Sequence, residues 1–179
     1  MRATLISIAF CTFAFVIGAN ADEQPNTKLK LGDSIPSVDV QDQDKVTVNL
    51  VQEGKNGYTL FFFYPRALTR GCTAQACSLR DAYEELQGKG VRVFGISNDP
   101  AEKQKEFIVT NTLPFKLLAD TEMKVINAFG VPLLNNSMAS RQAYLFKDGK
   151  LVWFDTKAST AKQAEDVLNA LTNLPQTDK

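Results

Sequence analysis

The sequence predicts an α/β protein whose mixed central sheet is flanked by helices on both faces. Three observations carry this expectation. The run Thr59–Tyr64 is apolar without alternation, as a strand buried on both faces requires. A second such run, Val91–Ser97, follows after a segment whose Ala76, Leu79, Tyr83 and Leu86 recur at helical spacing. A right-handed βαβ crossover makes these two strands parallel, and the Asp148-Gly149 pair marks a hairpin that adds antiparallel strands.

The elements follow in order. Asp22 to about Lys30 is polar and reads as a loose arm. Val38 and Val40, then Val46, Val48 and Leu50, alternate across the polar turn at 41–45, the pattern of a β-hairpin. After the Thr59–Tyr64 strand, a helix is expected from Cys72 to about Gln87, stopped by Gly88 and Gly90. Asp99-Pro100-Ala101-Glu102 reads as a capping box with proline at the first helical position, starting a helix that runs to about Thr110. A short strand spans 115–118, and Asp120 caps a brief helix ending near Gly130. Gln142–Phe146 and Leu151–Phe154 flank Asp148-Gly149. A last helix, from about Ala161 to Leu171, carries Ala164, Val167, Leu168 and Leu171 on one stripe.

At the start of the 179-residue chain, Met-Arg precedes an uncharged run from Ala3 to Gly18, then Ala19-Asn20-Ala21. This is the pattern of a secretory signal peptide over residues 1–21, with an A-x-A cleavage site. An uncleaved membrane anchor is the competing reading of the same run, but Thr4, Ser7 and Thr12 dilute it. Residues 22–179 then form one domain, of a size that supports a single core. Cys11 leaves with the signal, and Cys72 and Cys77 remain. The expected location is exported, periplasmic if the source is a Gram-negative bacterium, with no stable membrane association after cleavage.

The chain has 20 basic and 20 acidic residues; loss of Arg2 with the signal leaves 19 and 20, a net charge of −1. Such a balance gives no footprint for nucleic acid or an anionic membrane. Histidine is absent, which excludes Ser-His-Asp and Cys-His activation and every histidine-ligated metal centre. No cofactor is expected.

The chemistry therefore falls on cysteine. Pro65, Thr69 and Cys72 stand in PxxxTxxC spacing directly after the apolar strand, and Cys77 follows five residues later. Cys72 comes after Gly71 at a helix start, where free N–H groups and the positive end of the helix dipole favour a thiolate. A lone cysteine is more often a small buried hydrophobe. Here Gly71, Thr69 and Cys77 would each need a separate explanation under that reading. Thr69 by itself fits a helix cap, Pro65 a strand terminator, and Arg141 a strand-end arginine paired with a surface acid. Arg80 has ordinary helix-surface partners in Asp81 and Glu84. Activation of a thiol in this chain must come from a helix terminus, an arginine or lysine, and hydroxyl groups.

Ionisation alone accelerates little. For any thiol, lowering the pKa from about 8.5 to about 6 raises the thiolate fraction at pH 7 about thirtyfold. It also weakens the nucleophile about tenfold, leaving a net gain of about threefold. Most of the rate must come from groups that hold the electrophile in line and stabilise charge on the departing oxygen.

The segment Tyr64–Asp81 resembles the active-site loop of the peroxiredoxins, closest to their bacterioferritin-comigratory (Prx Q) subgroup. The similarity extends from Leu31-Gly32-Asp33-Ser34-Ile35-Pro36 to Arg141 and Asp148-Gly149-Lys150. It implies a thioredoxin-like fold, Cys72 as peroxidatic cysteine and Cys77 as resolving cysteine, joined in a Cys72–Cys77 disulfide after a sulfenic acid. Thr69 would then hydrogen-bond the thiolate and peroxide, Pro65 would shield the site from water, and Arg141 would reach across from a later strand. The implied substrates are hydrogen peroxide and organic hydroperoxides, and the implied partner is a thioredoxin-like reductant. Arg70 stands where the subgroup usually has proline, and Ala67-Leu68 replaces a commonly acidic pair. Two other readings compete. A thiol–disulfide oxidoreductase would ordinarily carry CxxC, whereas the spacing here is CxxxxC. The other is a non-enzymatic structural or holdase module carrying an inert disulfide, and peroxide turnover by Cys72 and Cys77 variants separates all three readings.

Overall fold

The computed structural model describes residues 27–175, so the expected signal segment and the start of the polar arm lie outside the described residues. Nine strands and six helices follow one another among them. The strands are β1 (Asp39–Asp42), β2 (Thr47–Asn49), β3 (Tyr58–Phe63), β4 (Val91–Ser97), β5 (Lys116–Ala119), β6 (Leu133–Leu134), β7 (Met138–Ala139), β8 (Gln142–Lys147) and β9 (Lys150–Asp155). The helices are α1 (Leu50–Gly54), α2 (Arg70–Asp81), α3 (Tyr83–Gly88), α4 (Ala101–Asn111), α5 (Lys124–Phe129) and α6 (Gln163–Asn173).

Seven strands form a mixed sheet in the order β2-β1-β5-β4-β3-β8-β9. β3 is parallel to β4, as the crossover rule requires, and antiparallel to β8. Its alternate residues enter two different cores. Leu60, Phe62 and Tyr64 pack with Cys72, Ala76 and Leu79 of α2, Phe107 of α4, and Ala164 and Val167 of α6. Phe61 and Phe63 face the other way, against Val125, Ile126 and Phe129 of α5. Continuous apolar sequence is thus explained by burial on both faces. The β8–β9 turn holds Asp148 and Gly149 at φ of 49° and 77°, the left-handed pair that a two-residue hairpin demands.

Several elements differ from the sequence expectation. Leu50 leaves the hairpin for the short helix α1, because Asn49 caps it by accepting the Gln52 N–H at 2.9 Å. The helix expected over 72–87 starts at Arg70 and is divided at Ala82, whose ψ of 11° re-aims the chain. No glycine or proline marks that division. It lets Tyr83 pack its ring on Phe115 while Leu86 enters the core. The small β6–β7 hairpin was not expected from sequence; Asn135 and Asn136 take up positive φ at its turn. Asp120 is not the N-cap of α5, a position Met123 takes in left-handed conformation; its carboxylate instead reaches the first turn from outside, accepting the Ile126 N–H at 2.8 Å, and burial raises its pKa.

The capping box at Asp99 is not formed. Pro100 is the N-cap of α4, extended and without a side-chain cap bond. The Asp99 carboxylate turns instead to the Ala67 N–H at 2.7 Å and the Ser97 hydroxyl at 2.8 Å. A backbone donor in the loop after β3 has won the carboxylate from the helix.

Candidate active site

β3 ends at Phe63, and Tyr64 continues it by donating its N–H to the Ile96 carbonyl at 3.1 Å. Burial pushes the Tyr64 phenol well above its usual pKa, so it is a neutral donor, bonded to the Gln104 side-chain oxygen. Gln104 in turn donates to Ser97 Oγ at 2.9 Å, and Ser97 donates to Asp99. This buried chain of polar groups ends at the Ala67 N–H and fixes the loop between β3 and α2. The loop is strained: Leu68 has φ of 63°, a left-handed conformation disfavoured for a leucine.

Thr69 closes the loop as N-cap of α2, with extended backbone. Its carbonyl accepts the first helical bond from the Thr73 N–H. Its hydroxyl donates to the Arg66 carbonyl at 2.9 Å rather than capping the helix. Pro65 is half-buried and Thr69 exposed, while Cys72, in the first turn of α2, is only 1% exposed.

Arg141 reaches this sulfur from the adjoining strand. It immediately precedes β8, whose Gln142 pairs with Phe63, so the register sets Arg141 beside the carboxyl end of β3. One terminal nitrogen, Nη2, lies 3.5 Å from Cys72 Sγ, and Nη1 donates to the Gln75 side-chain oxygen. Gly71 leaves room for it: a Cβ there would stand 3.3 Å from Nη2. Open α/β sheets place reactive groups in just this position, beyond the carboxyl ends of central strands.

Cys77 lies further along α2, half-buried, with its sulfur 3.9 Å from Asn111 Oδ1 at the end of α4. Arg80 anchors the same region by donating to the Asn111 carbonyl at 2.8 Å. Its guanidinium also bonds Asp81, which raises its pKa. Both cysteines are free thiols. The family resemblance put Pro65, Thr69, Cys72 and Arg141 around one point, where spacing alone read Arg141 as a surface residue, and the structure brings Arg141 to Cys72. It keeps Cys77 away from them, on the same helix. Among the described residues no group of His, Cys, Asp and Glu is arranged to hold a metal ion, and no helix is long and apolar enough to cross a membrane.

Gln75 and Gln163 were not singled out from sequence, and Asp99 was read only as a helix cap, not as a group that holds the loop of the site. Gln75 and Gln163 are fully buried and bonded to each other, Gln75 Nε2 to Gln163 Oε1 at 2.8 Å. A signal existed: each is a polar residue on the apolar stripe of its helix, beside Ala76 and Ala164.

A buried thiol in the first turn of the helix after a central strand, faced by an arginine, defines a thiol protein of the thioredoxin-like class. The model of the AhpC/TSA family matches residues 31–154, and the chain belongs to that family, on its peroxiredoxin Bcp/Prx Q branch. It is 46% identical to peroxiredoxin Bcp of Escherichia coli K12 over 104 residues, 58% of this chain and 65% of that protein's length. It is 36% identical to chloroplastic peroxiredoxin Q of Triticum aestivum over 150 residues, 82% of this chain and 69% of the relative. Among solved structures, peroxidoxin BcpB from Mycobacterium tuberculosis superposes with a TM-score of 0.75 at 29% identity, covering 83% of this chain and 99% of that one.

Proposed function

We propose that this protein is a thiol-dependent peroxidase that reduces hydrogen peroxide and organic hydroperoxides. The observation that carries the reading is the Arg141 guanidinium 3.5 Å from Cys72 Sγ. A fixed cation beside the nucleophile is what the rate argument demands, because it stabilises the negative charge that forms on the departing oxygen. In the first step the Cys72 thiolate attacks the outer peroxide oxygen. A sulfur–oxygen bond forms, the O–O bond breaks, and an alkoxide or hydroxide leaves to take a proton, with Cys72 now a sulfenic acid. Thr69 turns its hydroxyl from the Arg66 carbonyl to the peroxide, and Pro65 limits water at the sulfur.

In the second step the Cys77 thiol displaces water from the sulfenic acid to give a Cys72–Cys77 disulfide, the atypical 2-Cys route. A thioredoxin-like dithiol then returns both cysteines to thiols by exchange. Residues 1–21 direct export and are removed, a point that mass measurement of the mature chain decides.

Rapid mixing of the reduced protein with hydrogen peroxide and with an alkyl hydroperoxide tests the peroxidase reading. Cys72→Ser is expected to consume neither. Cys77→Ser is expected to react once and stop as a sulfenic acid, seen by mass as one added oxygen. A Cys77→Ser protein that does not react even once overturns the assigned roles.

A further inference from the structure

Gln75 and Gln163 are each 0% exposed, in the cluster of Ala76, Leu79, Ala164 and Val167 that joins α2 to α6. Amides are poor occupants of such positions unless every donor and acceptor is used. Their orientation is set by Arg141. A guanidinium only donates, so Gln75 must turn its side-chain oxygen to Nη1. Its Nε2 then faces Gln163, which must answer with Oε1. The consequence falls on Gln163, whose own Nε2 is left buried without a hydrogen-bond partner. Among the described residues only one other buried side-chain polar atom, Ser140 Oγ, shares that condition. Gln163 thus keeps an orientation that leaves its own donor unsatisfied, and the group that benefits lies at the far end of the relay.

We infer that Gln163 is a positioning residue: acting through Gln75, it holds the Arg141 guanidinium against the Cys72 sulfur. With Nη1 pinned by Gln75, the guanidinium plane is set and Nη2 is directed at Sγ. Without the Gln163 oxygen, the Gln75 Nε2 is left buried without an acceptor, nothing fixes the amide in the orientation that offers its oxygen to Nη1, and Arg141 is released from the sulfur. The site thereby depends on a helix 88 residues away in sequence from Gln75.

This inference rests on the peroxidase reading above, and its test separates the two. The second-order rate constant with hydrogen peroxide is measured by rapid mixing on the reduced protein. Gln163→Leu, which removes the acceptor, is expected to lower it about tenfold or more, the scale on which misplaced catalytic groups slow reactions. Gln163→Glu, which still accepts from Gln75, is expected to stay within about threefold of wild type. In an Arg141→Ala background Gln163→Leu is expected to change the rate less than about twofold, because the group through which it acts is gone. An equal loss in both backgrounds overturns the inference. If Gln163→Leu does not fold, Gln163→Met replaces it. Nitrogen NMR of the Arg141 guanidinium supplies a readout independent of activity: slow Nη rotation in wild type and Gln163→Glu, lost in Gln163→Leu. If the wild-type protein consumes no peroxide, the peroxidase reading falls by itself. The NMR then decides the positioning role, which identical Nη exchange in all three proteins overturns.

Discussion

Cys72 and Cys77 are free thiols on one continuous helix, α2, five residues apart. On such a helix their Cα atoms are separated by roughly 8–9 Å and project about 140° apart around the axis. A disulfide tolerates at most about 7 Å between Cα atoms. Oxidation to a Cys72–Cys77 disulfide is therefore expected to unwind α2 from Cys72 to about Ser78. That unwinding must break the bonds from Gln75 to Gln163 and to Arg141. Peroxide reaction should precede disulfide closure as a separate, faster step, since local unfolding intervenes. Hydrogen exchange on the two redox forms checks it. Equal protection over residues 72–80, with the disulfide proven by mass, would show that no unwinding occurs.

Arg141→Ala is expected to slow peroxide reduction about 10²- to 10³-fold, the usual effect of removing one donor aimed at developing charge. Arg141→Lys should recover only part of this, because a compact ammonium lacks the planar fork whose two Nη groups separately reach Gln75 and the sulfur. Gly71→Ala should also slow the reaction, since its methyl would stand 3.3 Å from Nη2 and must displace it. Stopped-flow rates for the three variants decide the matter; a Gly71→Ala rate equal to wild type would mean the guanidinium moves without consequence.

Asp99 holds the strained loop through the Ala67 N–H. Asp99→Ala leaves that donor and the Ser97 hydroxyl without their acceptor and is expected to destabilise the protein by about 1–3 kcal/mol. The peroxide rate should fall as well, because Leu68 is then free to relax from its left-handed conformation and carry Thr69 with it. Asp99→Asn retains a carbonyl acceptor and should lose less of both. Urea unfolding alongside rate measurements tests the ordering, and an Asp99→Ala protein with wild-type rate would separate the loop from the chemistry.

Alkaline pH should unfold the protein through its buried phenols. Burial raises the Tyr144 pKa to about 12, against about 10 for an exposed tyrosine. A raised folded-state pKa contributes fully below the unfolded value and is lost as pH rises through the folded one. Between about pH 10 and 12 the unfolded chain releases a proton that the folded chain keeps, so stability falls there, by about 2–3 kcal/mol from this group. Tyr64, raised by the same cause, acts in the same direction. Tyr144→Phe loses the bonds to Gln142 and Thr27 and should be less stable at pH 8, yet decline less steeply above pH 10. Urea midpoints at pH 8 to 11 for both proteins provide the check; parallel declines would remove Tyr144 as the cause.

What the sequence determined by itself was local in origin. The Thr59–Tyr64 and Val91–Ser97 runs specified β3 and β4 because continuous apolar sequence of that length suits a strand buried on both faces. Asp148-Gly149 specified its hairpin because two successive residues there must take positive φ. Gly71 and the helical periodicity after it set Cys72 in a first helical turn, as found. Only the tertiary structure decided the rest. Ala82 divides α2 from α3 although nothing in the residues around it breaks helices; the packing of Tyr83 and Leu86 does so. Asp99 has the sequence of a cap, but the Ala67 N–H, 32 residues away, offered its carboxylate a better partner. Arg141 meets Gln75 across 66 residues, and Gln75 meets Gln163 across 88. A polar residue on an apolar stripe announces that it needs a partner. Which partner depends on sheet order and helix packing, and those distances in sequence leave no periodic trace.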